Sequence, residues 1–167
     1  MKIEDNFLDQ SEFDKIQEGM MGYNFPWFFY DFIDDEYDKD KFQFIHIFYD
    51  NFVARDSIQL MNPILEVLNP ESLYRIKANL LTRLPTIVEN TFHIDMSFLS
   101  EEKLKQWTTS IFYINTNSGY TIFEDGTKVE SVANRMLTFP TNMKHTGTSC
   151  TDEKTRVVIN FNFFTND

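Results

Sequence analysis

Residues 108–131 read TTSIFYINTNSGYTIFEDGTKVES, and the reading of the fold starts from them. Three runs, 108–115, 119–123 and 127–131, are rich in the β-branched and aromatic residues that favour strands. Asn115-Thr116-Asn117-Ser118-Gly119 turns the chain between the first two. Asp125-Gly126 stands between the others, a pair suited to the tight turn of a β-hairpin. Downstream, 135–139 and 155–164 read as further strands, with the turn Pro140-Thr141-Asn142 after the first of them. Upstream, 90–94, 73–81 and 43–49 have the same character. In 73–81, Arg75 and Lys77 share one face while Ile76, Ala78 and Leu80 share the other, as in a half-buried strand. Many short strands with regular turns predict a mainly β protein, a jelly-roll barrel or sandwich with helices packed outside it.

Two stretches carry helical spacing instead. In Ser11–Met21, Phe13, Ile16 and Met20 fall on one side, with Ser11 as N-cap and Gly22 as the stop. In Ile58–Leu68, Leu60, Ile64, Leu65 and Leu68 form the apolar face; Asp56 or Ser57 caps it and Asn69-Pro70 ends it. Between them YNFPWFFYDFI, residues 23–33, is expected to be an extended segment packed on the core, with an aromatic cleft wall as the alternative. The charge run DDEYDKDK at 34–41 is expected to be a solvated turn.

A length of 167 residues suits a single domain, with the barrel mostly in 73–167 and residues 1–72 as supporting helices and strands. The 18 Phe and 7 Tyr against 5 Gly point the same way as the strand pattern. A net charge of −11 without any basic run disfavours nucleic acid and a polybasic membrane contact. The one cysteine, Cys150, excludes an intrachain disulfide and a multi-cysteine zinc site, and it receives no chemical role. The charged N-terminal stretch has no apolar leader core and no run is long enough to span a bilayer, so a reducing cytosol is the expected setting.

Residues 91–96 read TFHIDM. In a strand, alternate residues share a face, so His93 and Asp95 can offer an imidazole and a carboxylate to one point. Alone, the pair reads more simply as a strand end whose polar groups bond locally. A non-heme Fe(II) site of the two-histidine, one-carboxylate type needs three ligands on one side of the ion and leaves the other side open. His145, in NMKHTG just after LTFP, is placed to bring the third ligand from a distant strand. Arg156 opens TRVVINFNFF, where an arginine can hold the far carboxylate of a chelating 2-oxo acid in a bidentate fork. That order of residues is more specific than the His-x-Asp pair. The remaining histidine, His46 in FIHIFY, alternates with apolar neighbours and reads as structural.

These stretches resemble the Fe(II)/2-oxoglutarate-dependent oxygenases, in particular the prolyl-hydroxylase-like branch, including small single-domain members encoded by bacteriophages. The similarity runs through FHIDM, TTSIFYINTNSGYTIFEDG, NRMLTFPTNMKHTG and TRVVINFNFF, roughly the C-terminal half of the chain. It implies a double-stranded β-helix, a cupin-like jelly-roll barrel. It implies His93, Asp95 and His145 as metal ligands at the catalytic centre, and Arg156 and Tyr113 as the residues that bind the 2-oxoglutarate C5 carboxylate. Fe(II) is the implied cofactor, 2-oxoglutarate and O2 the co-substrates, and ascorbate a supporting reductant. The implied reaction turns 2-oxoglutarate into succinate and CO2 while hydroxylating a peptidyl residue or a small molecule, in the cytosol (the host's, for a phage protein).

The chain departs from the family pattern in two places. The loop TGTSCTDEKT between His145 and Arg156 is slightly longer than in many relatives. No counterpart of the family's tyrosine upstream of His-x-Asp is visible, and Asn79 or Arg83 stands in line for that contact. Arg75 and Lys77 read either as the mouth of a cleft meeting an anionic substrate or as a solvated strand face. Two other classes stay open: a non-catalytic jelly-roll interaction or structural protein, and a cupin-type metal enzyme that uses no 2-oxo acid.

Overall fold

The structure, a computed structural model, describes residues 1–33 and 40–165, so most of the charge run at 34–41 lies outside the described residues. In chain order the elements are β1 (Lys2–Glu4), α1 (Gln10–Met21), β2 (Phe28–Tyr30), β3 (Gln43–Asp50), β4 (Val53–Ala54), a 3-10 turn (Ile58–Met61), α2 (Asn62–Leu68) and β5 (Ser72–Thr82). Then come α3 (Glu101–Leu104), β6 (Trp107–Tyr113), β7 (Tyr120–Phe123), β8 (Lys128–Glu130), β9 (Arg135–Pro140), β10 (His145–Gly147) and β11 (Thr155–Phe164). Among the described residues, no helix is long and apolar enough to cross a membrane.

The large sheet runs β1-β9-β6-β11-β5-β3-β2, with β4 paired to β3, and the small sheet runs β10-β7-β8. The segment 89–93 extends the small sheet beside β10 through two single bridges, Glu89 to Thr148 and His93 to His145. All pairings are antiparallel. This is the double-stranded β-helix that the strand pattern and the family resemblance predict.

Alternation along β11 sets the layers. Val157, Ile159, Phe161 and Phe163 face outward, where they cluster with Phe13, Ile16 and Met20 of α1, Ile64 of α2, and Ile76 and Ala78 of β5. Removing this apolar surface from water, at roughly 25 cal/mol per Å2, holds the helices on the sheet. Arg156, Val158, Asn160 and Asn162 take the alternate positions and face the small sheet. There Val158 joins Ile111, Tyr113, Leu137 and Phe139 of the large sheet and Phe123 and Val129 of the small one. A cavity of about 420 Å3 opens beside this second cluster, with Arg156, Val158 and Asn160 in its wall.

Polar side chains finish the strands that build the cavity. Asn115 takes over where β6 leaves the sheet: its Oδ1 accepts from the Val157 N–H at 3.0 Å and its Nδ2 donates to the Thr155 carbonyl at 2.8 Å. The expected hairpin joins β7 to β8, with Gly126 at φ +87, a region glycine enters without strain.

Local details differ from expectation where backbone chemistry overrides pattern. The first helix begins behind Asp9, so Ser11 lies inside it and is not its cap. Residues 58–68 are two pieces: the 3-10 turn ends at Met61 and α2 restarts with Pro63 in its first turn, the place where a missing N–H costs nothing. Ser57 stands at φ 67 and makes no capping bond, while Asn69 closes α2 in the left-handed region at φ 44. Residues 90–94 are not a strand; only His93 among them is bridged, and a turn begins at Asp95. Segment 23–33 divides: Phe25 and Trp27 pack on the core, whereas Tyr30, Phe32 and Ile33 line the cavity.

Candidate metal centre

His93 and His145 are directly opposed across an antiparallel pair. Each backbone N–H donates to the other's carbonyl at 3.0 Å. Side chains of such a pair stand on one face, and here the ring centroids are 4.8 Å apart. His145, distant in sequence, is thus an immediate neighbour of His93. Asp95 enters from the turn after His93, where Met96 takes φ 56, and its Oδ1 comes within 3.7 Å of His93 Nε2. One donor atom from each of His93, Asp95 and His145 lies within 4.8 Å of the other two.

The outer nitrogens of both rings are committed. His145 Nδ1 lies 3.1 Å from the Met143 carbonyl and His93 Nδ1 lies 3.3 Å from the Thr91 carbonyl. A carbonyl only accepts, so the neutral His145 ring donates from Nδ1 and keeps the lone pair on Nε2. His145 Nε2 is buried and has no hydrogen-bond partner among the described residues. An unpaired buried lone pair is costly, and a metal ion at that point removes the cost. Two imidazoles and a carboxylate with open positions opposite are a donor set that fits Fe(II).

Burial pushes the Asp95 carboxyl up, but Arg75, His145, His93 and Asn162 outweigh burial and hold it well below the usual carboxylate range. Arg75 Nη2 donates to Oδ1 at 3.1 Å and Asn162 Nδ2 donates to Oδ2 at 2.9 Å. The carboxylate is therefore ionised and fixed in place. His145 moves the other way: burial lowers it from the ordinary 6.5, with Asp95 opposing only in part. An unfolded histidine takes up a proton that native His145 resists, so the metal-free protein loses stability as pH falls below about 6.5. Thermal melts of the metal-free protein from about pH 8 to about pH 5 are expected to show this fall, and His145→Gln to flatten it.

Arg156 is 3 % exposed. Its Nε donates to Ser131 Oγ at 2.9 Å and its Nη2 to Thr121 Oγ1 at 3.3 Å. No carboxylate among the described residues forms an ion pair with it, and burial lowers its pKa. A buried cation held by two hydroxyls and the face of the Tyr113 ring, 5.8 Å away, with no carboxylate among the described residues, is suited to an anionic group in the cavity whose wall it forms. Two glycines make room for it. A Cβ at Gly119 would stand 2.6 Å from Arg156 Cδ, and one at Gly147 would stand 3.0 Å from Nη1. The Tyr113 hydroxyl is fully buried and donates to Thr121 Oγ1 at 2.7 Å, so Tyr113 and Arg156 share one hydroxyl.

Asn79 and Lys77 line the same cavity, whereas Arg83 lies outside its wall, its N–H bonded to the Lys154 carbonyl. Arg75 also lines it but is bound to Asp95, a role different from meeting substrate. His46 sits on the helix side, away from the cavity wall, with Nδ1 2.9 Å from the Pro26 carbonyl and Phe25 and Phe48 against its ring; its Nε2 is buried without a hydrogen-bond partner among the described residues, so only half of the ring is satisfied. Cys150 is buried, and burial pushes its thiol up. Asn162, Thr121, Ser131 and the two glycines were not singled out from sequence. The available signal was the polar pair Asn160 and Asn162, in phase with Arg156 along an otherwise apolar strand.

No family model and no curated protein matches the sequence. Solved structures do match the fold. A prolyl hydroxylase from Trichoplax adhaerens, in complex with a hypoxia inducible factor peptide fragment, aligns with a TM-score of 0.63 and 13 % identity, over 98 % of this chain and 82 % of that one. A viral collagen prolyl hydroxylase from Paramecium bursaria chlorella virus-1 aligns with a TM-score of 0.62 and 12 % identity, over 99 % of this chain and 96 % of that one. The non-heme α-ketoglutarate-dependent epimerase SnoN from nogalamycin biosynthesis aligns with a TM-score of 0.66 and 10 % identity, over 97 % of this chain and 77 % of that one. At these identities the likeness establishes a shared fold.

Proposed function

We propose that the chain is an Fe(II)- and 2-oxoglutarate-dependent oxygenase, a hydroxylase acting on a peptidyl residue or a small molecule and releasing succinate and CO2. One observation carries the reading. A single cavity has in its wall three convergent metal-ligand donors and a buried arginine for which the described residues supply no carboxylate. A scaffold has no use for either feature, and a cupin without a 2-oxo acid has no use for the arginine.

His93, Asp95 and His145 would hold Fe(II) beside the cavity that would take the co-substrate. The ion, when bound, supplies the activation of O2 for oxidation of the substrate. Arg156 takes the C5 carboxylate of 2-oxoglutarate. Tyr113 lies behind the cavity wall, its hydroxyl donating to Thr121 Oγ1, and in this reading becomes the second donor to that carboxylate once the hydroxyl turns past Thr121 into the cavity. Asn79 and Asn90, in the same wall, offer amides to polar groups of the bound molecules. Phe139 and Phe123 pack on the His145 ring, with centroids 4.8 Å and 6.0 Å away, and keep water from its ligand nitrogen. Tyr30, Phe32, Tyr74 and Phe98 form the aromatic part of the wall that meets the substrate. Neighbours of this fold include one seen with a peptide and one seen with nogalamycin RO, which supports both substrate classes.

Incubation with Fe(II), ascorbate, O2 and 2-oxoglutarate tests this. Slow succinate formation is expected, accelerated by peptide or small-molecule candidates that fit the cavity. Metal-loaded protein that neither binds nor consumes 2-oxoglutarate would move the reading to a cupin-type metal enzyme.

A further inference from the structure

We infer that Arg75 is the built-in counter-charge of the metal centre, balancing Asp95 while no ion is bound and opposing the ion once it arrives. The inference rests on the metal reading of His93, Asp95 and His145 given above. Divalent metal is then held less tightly than the three ligands alone would hold it, and the site stays assembled without it.

Placement comes from strand register. Arg75 on β5 lies directly opposite Asn162 on β11, and Asn162 lies opposite Thr109 on β6. Three neighbouring strands thus present one polar row beneath Asp95. Arg75 Nε donates to Asn162 Oδ1 at 3.0 Å and Nη2 to Asp95 Oδ1 at 3.1 Å. Asn162 Nδ2 donates to Asp95 Oδ2 at 2.9 Å and to Thr109 Oγ1 at 3.1 Å. The three side chains close a ring.

Within the ring the two donors have different tasks. Asn162 is neutral and holds Oδ2, so it suffices to aim the carboxylate. Arg75 is a permanent cation and bonds Oδ1, the oxygen that lies 3.7 Å from His93 Nε2. An ion held by Asp95 and the two imidazoles would lie close to the guanidinium that bonds the same carboxylate, and like charges at such range in a partly buried site repel. Loss of a neutral outer donor commonly weakens metal binding. Loss of this charged one is expected to strengthen it, because Asn162 still orients Asp95.

Mn(II) titrations followed by the electron paramagnetic resonance of the free ion test the sign. Arg75→Gln and Arg75→Met are expected to bind Mn(II) about tenfold or more tightly than wild type, and Arg75→Lys, which keeps the charge, within about threefold of it. Should Arg75→Met fail to fold, Arg75→Gln, which keeps hydrogen-bond donors, decides alone. A readout without metal accompanies this: Arg75→Gln lowers the melting temperature of the metal-free protein, and that loss disappears in an Asp95→Asn background. Weaker or unchanged Mn(II) binding in the neutral variants overturns the inference and makes Arg75 an orienting donor only, with the metal reading intact. A wild-type protein that binds no Mn(II) overturns both.

Discussion

Asp95→Asn is expected to abolish tight binding of Fe(II) and Mn(II) while the protein stays folded. The substitution keeps the shape of the side chain and removes its charge. Against a divalent ion, at the effective dielectric of a protein interior, a carboxylate is worth several kcal/mol. A loss of about 4 kcal/mol corresponds to roughly a thousandfold in affinity. Some stability is lost as well, because Arg75 gives up its partner, but its side chain is 25 % exposed and water can replace part of that contact. His145→Ala should remove metal binding as completely. Calorimetric titration with Mn(II), beside a far-ultraviolet circular dichroism spectrum, separates ligand loss from unfolding. Asp95→Asn binding Mn(II) like wild type would sink the ligand assignment.

Arg156→Met should leave metal binding within a few-fold of wild type and remove 2-oxoglutarate binding. Methionine fills nearly the same volume, and the exchange takes out a buried cation that the described residues leave without a carboxylate. The fold should therefore tolerate it. A buried ion pair to a ligand carboxylate is worth about 3 kcal/mol or more when one partner is removed, a hundredfold or larger loss of affinity. Gly119→Ala approaches the same defect from the other side. Its methyl would stand 2.6 Å from Arg156 Cδ and 2.8 Å from the Ser149 carbonyl oxygen, and backbone cannot yield as a side chain does. Titration of the Mn(II)-loaded proteins with 2-oxoglutarate reads both variants. Retained affinity in Arg156→Met would place the co-substrate elsewhere.

Much of the fold was legible because its signals are local. Strand periodicity, Asp125-Gly126, and Asn69-Pro70 each act within a few residues. The sites where the pattern misled are places where a single backbone property decides. Pro63 restarts a helix that apolar spacing draws as continuous, and the chain turns at Asp95 where a strand-end reading lets it run on. His93 and Asp95 meet through that turn, not through strand alternation alone.

The candidate ligands and Arg156 could be named because the chemistry needs those residue types in that order. Their supports could not. Asn162 and Thr109 take on their roles only through strand register, and Gly119 and Gly147 only through their approach to Arg156. Arg75 shows the limit well. Its face on β5 was readable from alternation, but its partner is set by β11 pairing with Asn162, and register between strands so far apart in sequence leaves no mark in either one.

The most direct test of the metal and co-substrate site is optical and anaerobic. Purified protein receives Fe(II) and then 2-oxoglutarate, and the visible spectrum is followed for the weak charge-transfer band of a chelated 2-oxo acid. The band is expected in wild type and absent from Asp95→Ala, His145→Ala and Arg156→Met. A folded, iron-binding wild-type protein that shows no band would contradict the 2-oxoglutarate site, and one that binds no iron would contradict the metal centre itself.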